Sequence, residues 1–160
     1  MTICFLDKRE KAVWLPQMFE LLYENMKEIA PSGETYEQER QQFLANVGPA
    51  LEKAPRQVIL ALDHGDLAGY VQYYVRDALL MVEEIQIRKD HQGTLLFLRL
   101  CRYLMDGLPA EIQTVEAYAD PRNEKSRRLM AKLGMAELPE VGNYVHLRGN
   151  ANALRSKFRV

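Results

Sequence analysis

The chain has 160 residues, of which 48% are hydrophobic and 27% are charged, and its formal net charge is −1. This composition is typical of a globular protein and argues against disorder, and the length suits one domain over residues 1–160. No apolar run approaches the roughly 18 residues that span a bilayer, and the start MTICFLDKREK lacks the pattern of a signal peptide. We therefore expect a cytoplasmic protein that has no membrane partner.

Charge is distributed unevenly along the chain. Acidic residues outnumber basic residues in residues 1–55, whereas basic residues outnumber acidic ones in residues 88–160. This asymmetry suits an anionic ligand bound by the C-terminal half. The sequence pI is about 6.3 and no basic run is interleaved with aromatic residues, so we predict no nucleic-acid partner. Cys4 and Cys101 lie in no C-x-x-C pair, so neither a disulfide framework nor a metal site is predicted.

The first predicted elements are two amphipathic helices. Apolar residues at helical spacing, including Trp14, Met18 and Leu22, predict a helix over residues 11–29 with Pro16 in its first turn. After the break at PSGET, helical spacing resumes over residues 36–51.

Strands and helices alternate in the rest of the chain. Two runs of β-branched and aromatic residues flank HGD, which predicts a β-hairpin. The predicted elements are strands at 56–63, 67–75 and 78–88, a helix at 94–105, a strand at 112–119, a helix at 121–134 and a strand at 143–147. This order predicts an α+β fold with a mixed central sheet.

Two motifs in this order resemble those of the GNAT N-acetyltransferase superfamily. The segment NEKSRRLMAKLGM at 123–135 is similar to a family pattern that has Asn, a small residue three positions later and then Leu-Gly. The segment VEEIQIRKDHQG is similar to the family's fourth strand and the phosphate loop that follows it. The resemblance covers about residues 10–148. It implies a mixed, mostly antiparallel sheet flanked by helices in a three-layer sandwich, and acetyl-coenzyme A as co-substrate.

The resemblance also implies where coenzyme A would bind. Gln92 matches the first position of the phosphate loop, but Leu95 and Phe97 occupy two positions where the family has small residues, and we expect them to crowd the backbone. Gly93 and Thr94 then offer a shifted set of N–H groups, with Thr94 as a helix N-cap. The implied cofactor-binding residues are Ile85, Ile87, Arg88, Gln92, Gly93, Thr94, Leu95, Asn123, Ser126 and Arg127. For Asn123, simple capping of a helix is the alternative.

Acyl transfer to an amine requires a base and a proton for the leaving thiolate. Regular alternation along LLMVEEIQI places Glu83 with Ile85 and Ile87 and predicts it as the more buried carboxylate, whereas a β-bulge would exchange the faces of Glu83 and Glu84. Both remain candidate bases. The family's tyrosine acid falls at Met130, so Tyr144 or Tyr118 is the candidate substitute.

The sequence thus predicts an N-acetyltransferase that transfers acetyl directly from acetyl-coenzyme A to a primary amine. The acceptor is a small molecule or a peptide amine, either an N-terminus or a lysine. Glu34, Glu37 and Glu39 lie near the junction of the two N-terminal helices and favour a cationic acceptor. The alternative is a GNAT-like domain that has lost catalysis and serves as a binding module. A homodimer is left open.

Overall fold

The computed structural model describes residues 1–53 and 55–159, which form a sheet with helices on both faces. Within this part of the chain, no helix is long and apolar enough to cross a membrane. The strands are β1 (Thr2–Phe5), β2 (Gln57–Asp63), β3 (Asp66–Arg76), β4 (Leu79–Ile87), β5 (Thr114–Ala119), β6 (Ala136–Val141) and β7 (Tyr144–Asn150). The helices are α1 (Lys11–Met26), α2 (Tyr36–Glu52), α3 (Leu96–Asp106), α4 (Glu124–Lys132) and α5 (Ala151–Phe158). Short 3-10 turns precede α1 (Lys8–Glu10) and follow β4 (Lys89–His91).

The seven strands lie in the order β1-β2-β3-β4-β5-β7-β6. Every neighbouring pair is antiparallel except β4 and β5, which are parallel. The predicted mixed, mostly antiparallel sheet is therefore confirmed. β4 and β5 can be parallel because α3 connects them as a crossover helix, and this pair lies in the middle of the strand order.

Two apolar cores hold the layers together. The core on the first face joins α1 and α2 to β2 and β3, and Met18, Leu51 and Tyr70 are among its most buried side chains. The core on the other face is larger and joins α3, α5 and the sheet, with Leu100 and Leu147 almost fully buried. The sheet is thus the middle of three layers.

Three elements were not predicted from the sequence. β1 and β6 are edge strands, and their sequences TICF and AELPEV are too short or too polar to give a clear alternation. Helix α5 begins at Asn150, whose side chain accepts a hydrogen bond from the Ala153 N–H. Its eight residues are polar overall, and the apolar face is recognisable only where it packs against α3.

Two details of α1 differ from the prediction. Pro16 lies inside the helix, beyond its first turn, because the helix begins at Lys11 after the 3-10 turn. The buried face carries Leu15, Met18 and Phe19, so it is rotated from the predicted stripe, and Trp14 and Leu22 are only half-buried.

Candidate functional site

The site is formed where β4 separates from β5. The two strands pair from Leu79 to Val82 only, although β4 continues to Ile87. The separation begins at a β-bulge, because Gln72 of β3 pairs with Glu84 while the next residue, Tyr73, pairs with Val82. Glu83 is the extra residue in β4. A gap therefore opens in the centre of the sheet.

Backbone donors line this gap. The Arg88 N–H donates to the Ala68 carbonyl of β3 at 2.8 Å, which fixes the alternation of hydrogen bonds along β4. Since successive residues of a strand point their N–H groups to opposite sides, those of Ile85 and Ile87 point away from β3 and into the gap. The pairing with β5 has ended before these residues. Their N–H groups are thus placed to receive an acceptor atom of a ligand.

The bulge also decides which carboxylate is the stronger candidate base. Burial raises the pKa of Glu84 to about 7, and the nearby charge of Glu83 adds to this, while a hydrogen bond from Gln86 at 2.5 Å opposes it. Glu83 instead accepts hydrogen bonds from Arg56 at 3.0 Å and from Gln72 at 3.4 Å. The bulge therefore exchanges the faces of the two carboxylates, which is the alternative considered in the sequence analysis, and Glu84 rather than Glu83 is the stronger candidate base.

A polar network connects Glu84 to the far end of the gap. Gln86, whose Nε2 bonds Glu84, accepts a hydrogen bond from Asn25 Nδ2 of α1 at 2.9 Å. Asn25 Nδ2 also donates to the Ile87 carbonyl at 2.8 Å, and Gln92 Nε2 donates to the same carbonyl at 2.9 Å. These contacts fix the end of β4 between α1 and the phosphate loop.

Sequence analysis missed Asn25 and Gln86. Gln86 gave a weak signal, since it is a polar residue in an otherwise apolar run of the strand, and it is buried. Asn25 gave no signal, because its role depends on α1 packing across β4.

Beneath Asn25 and Gln86 lies Tyr70, which is fully buried and whose hydroxyl has no hydrogen-bond partner among the described residues. Burial raises the pKa of Tyr70 well above its usual value, and the negative charge of Glu84 adds to the effect.

The loop after β4 has an open turn before α3. Gly93 has a φ of +78°, which favours glycine, and a Cβ at this position would meet nothing within 4 Å. The prediction of Thr94 as N-cap is wrong, because α3 begins at Leu96 and Leu95 is its N-cap, without a side-chain cap hydrogen bond. The Thr94 hydroxyl, one residue earlier, accepts a hydrogen bond from the Leu96 N–H at 3.2 Å. The loop therefore leaves room for an anionic group beside the N-terminus of α3.

The two large residues of this loop behave differently. Leu95 is 69% exposed and lies on the loop surface. Phe97 packs against the large core and lines a cavity beneath the sheet. The prediction that Phe97 crowds the loop is therefore wrong. Arg88 is paired with Asp90 at 2.7 Å and lies 3.7 Å from Asp63, so its charge is largely neutralised within the protein.

The start of α4 borders the same gap. The Asn123 side chain caps this helix, because its Oδ1 accepts a hydrogen bond from the Ser126 N–H at 3.2 Å. Its Nδ2 contacts the Met26 sulfur of α1 at 3.9 Å. Arg127 donates to Glu137 at 2.8 Å and to the Pro121 carbonyl at 3.1 Å. A cofactor role of these residues stays a prediction.

We expect Asn123→Ala to separate the two roles of this residue. Loss of the cap should lower the free energy of unfolding by roughly 0.5–2 kcal/mol. If Asn123 also holds coenzyme A, the Michaelis constant for the thioester should rise beyond what the folded fraction explains. Thermal unfolding and steady-state kinetics on one preparation would measure both. A destabilised variant with normal kinetics would assign Asn123 to capping alone.

The candidate acids lie farther from Glu84. Tyr144 begins β7, is 53% exposed, and makes no described contact with the polar network. Tyr118 of β5 stacks on His146 with ring centroids 4.6 Å apart. Met130 packs against the large core. The structure therefore brings Glu84 and the β4 backbone together but does not single out an acid.

The gap between two parallel strands, the loop and the capped helix are the features expected of GNAT acetyltransferases. A model of the acetyltransferase (GNAT) family matches residues 15–135, and the chain belongs to this family. A comparison with curated proteins gives no match.

Solved structures agree in fold. An acetyltransferase from Thermus thermophilus is 18% identical, with a TM-score of 0.72 over 94% of this chain and 97% of that one. The PaiA N-acetyltransferase of Thermoplasma acidophilum, in complex with coenzyme A, is 12% identical, with a TM-score of 0.71 over 94% and 99%. YncA of Salmonella typhimurium, with acetyl-CoA, is 18% identical, with a TM-score of 0.59 over 94% of each chain.

Proposed function

We propose that this protein is an N-acetyltransferase that transfers the acetyl group of acetyl-coenzyme A directly to a primary amine. The observation that carries the proposal is the position of Glu84. Its carboxyl has a pKa of about 7 and lies at the bulge where the N–H groups of Ile85 and Ile87 begin to face the gap. A base near neutral pH and a row of oriented donors are what acyl transfer to an amine needs.

The residues around the gap fit coenzyme A. The turn at Gly93 and Thr94, together with the first turn of α3, would hold the pyrophosphate, because the space around Gly93 is open. The gap beside Ile85 and Ile87 would take the pantetheine arm, whose amides can bond the free edge of β4. Two relatives in fold were solved with coenzyme A or acetyl-CoA, which supports this assignment.

The bound donor supplies an acetyl group activated as a thioester. In the proposed reaction the N–H groups of Ile85 and Ile87 polarise the thioester carbonyl. Glu84 removes a proton from the acceptor amine, whose nitrogen forms the new bond to the carbonyl carbon as the carbon–sulfur bond breaks. The departing thiolate takes a proton, and Tyr144 is the proposed donor in place of the tyrosine lost at Met130.

The acceptor side of the site is acidic. Glu34 and Glu37 are exposed at the connection between α1 and α2. Arg122 donates to the Pro31 carbonyl at 3.4 Å, which holds this connection beside the start of α4. This arrangement supports a cationic primary amine as acceptor, either a small molecule or a protein N-terminus or lysine.

Isothermal titration with acetyl-coenzyme A tests the proposal. We expect a dissociation constant in the micromolar range, and we expect thiol release when primary amines are added. The matched variant Leu95→Gly should bind more tightly, because it removes the large side chain from the loop surface. Absence of binding at millimolar ligand would contradict the proposal and favour a non-catalytic binding module.

A further inference from the structure

A cavity lies on the α3 side of the sheet, beneath the point where β4 and β5 separate. Its volume is about 40 Å³, and its described walls are apolar side chains together with the Cys101 thiol. Burial raises the pKa of this thiol to about 12, so it is uncharged at neutral pH. A cavity without charged walls stays dry and binds apolar groups.

The position of the cavity relates it to the gap. Val82 and Ala117 are the last paired residues of β4 and β5, and both line the cavity. Ile85, whose N–H faces the gap, contributes its side chain to the same wall. The cavity therefore lies directly beneath the closed end of the gap.

We propose that this cavity receives the acyl chain of a donor longer than acetyl, such as a propionyl or butyryl thioester of coenzyme A. The inference rests on the proposed function. The phosphate loop follows β4 directly, so a donor held there extends along the gap toward its closed end, and a carbonyl at the Ile85 N–H directs the acyl chain toward Val82 and Ala117.

The volume sets the length of the chain. A water-sized group needs about 10–15 Å³ measured in this way, so a cavity of about 40 Å³ holds about three such groups. Acetyl fills one of these places with its methyl group, whereas propionyl fills two and butyryl fills three. A hexanoyl chain exceeds the cavity.

The test is calorimetric binding of coenzyme A and its acetyl, propionyl, butyryl and hexanoyl thioesters to the whole protein. Burial of a methylene contributes about 0.8 kcal/mol, which corresponds to about fourfold in affinity. We expect about fourfold tighter binding from acetyl to propionyl and again from propionyl to butyryl, with no further gain for hexanoyl. Equal affinity for acetyl, propionyl and butyryl thioesters would overturn the inference.

Two variants fill the cavity from opposite walls, Ala117→Leu from β5 and Cys101→Met from α3. Either should abolish the gain per methylene while coenzyme A, which has no acyl group, binds as before. If Ala117→Leu does not fold, Cys101→Met provides the same test. Ala110→Leu is the matched control, because it makes the same substitution at an exposed position. Weaker binding of coenzyme A itself by both folded variants would show that the cavity holds the pantetheine arm, which overturns the acyl assignment. If the unmodified protein binds none of the five ligands, the proposed function fails as well.

Discussion

Replacement of Glu84 by Gln should lower kcat/KM for the amine acceptor by roughly 10²–10⁴-fold, the usual contribution of a positioned general base. Glutamine keeps the size of the side chain and can still bond Gln86, so the change removes the base with little change in packing. In the unmodified enzyme, kcat/KM should rise with pH through about 7, because Glu84 must lose its proton to act. The variant should lose this rise. Rates of acetyl transfer measured from about pH 5.5 to about pH 8.5 would show both effects.

The same variant should be more stable than the unmodified protein at alkaline pH. Burial raises the folded-state pKa of Glu84 from 4.5 to about 7, so between these values the folded protein holds a proton that the unfolded chain has lost. Stability therefore falls as pH rises through this window. Partial solvent access to Glu84 reduces the full effect, and we expect Glu84→Gln to gain about 1–2 kcal/mol at pH 8 and nothing at pH 4.

Glu83→Gln is the matched control, because it makes the same chemical change one residue away. It weakens the pair with Arg56, whose side chain is partly exposed, and it should leave the rise of kcat/KM near pH 7 in place. If Glu83→Gln removed this rise and Glu84→Gln did not, the assignment of the base would be wrong.

The second large effect is expected from Gly69→Ala. Gly69 is buried in β3 opposite Ile87, and a Cβ there would lie 3.0 Å from the Gln86 carbonyl oxygen and 3.0 Å from Ile87 Cδ1. These contacts are tighter than ordinary van der Waals contacts, so the Gln86 carbonyl and the Ile87 side chain, at residues beside the gap, must move by a few tenths of an ångström. We expect a loss of about 1–3 kcal/mol in the free energy of unfolding. The affinity for coenzyme A should fall as well, since the Ile87 N–H moves with the Gln86 carbonyl.

Gly48→Ala provides the control for this change. Gly48 lies inside α2, and a Cβ there would meet Leu15 Cδ1 at 3.6 Å, which is an ordinary contact. Alanine favours the helix over glycine by about 0.5–1 kcal/mol, but Pro49 follows and opposes helical backbone for a residue with a Cβ, so this variant should change the free energy of unfolding by less than about 1 kcal/mol. Chemical denaturation and calorimetric binding on both variants would test the contrast. A Gly69→Ala protein that is as stable and binds as tightly as the original would contradict the close packing.

Much of the fold could be predicted from the sequence because it depends on local patterns. The β-hairpin followed from two apolar runs around HGD, and capping by Asn123, one of the two roles considered for it, followed from its place at the start of a helical pattern. The edge strands and α5 could not be predicted in this way. β6 contains Pro139 and α5 is short and polar, so each is fixed by its neighbours rather than by its own pattern.

In the candidate site, too, some features follow from local sequence and others from tertiary contacts. The sequence by itself determined that two adjacent carboxylates lie on β4, that a glycine follows this strand, and that an asparagine lies at a helix start after β5, since these are choices of residue type at fixed spacing. Tertiary structure decided which carboxylate is buried. Pairing with β3 makes Glu83 the extra residue of the bulge, and the Glu84 side chain therefore faces the polar network, where it bonds Gln86. Tertiary structure also brought Asn25 from α1 to the end of β4, 62 positions from Ile87 along the chain. A pKa depends on what surrounds a group in space, and no spacing along the chain fixes those surroundings.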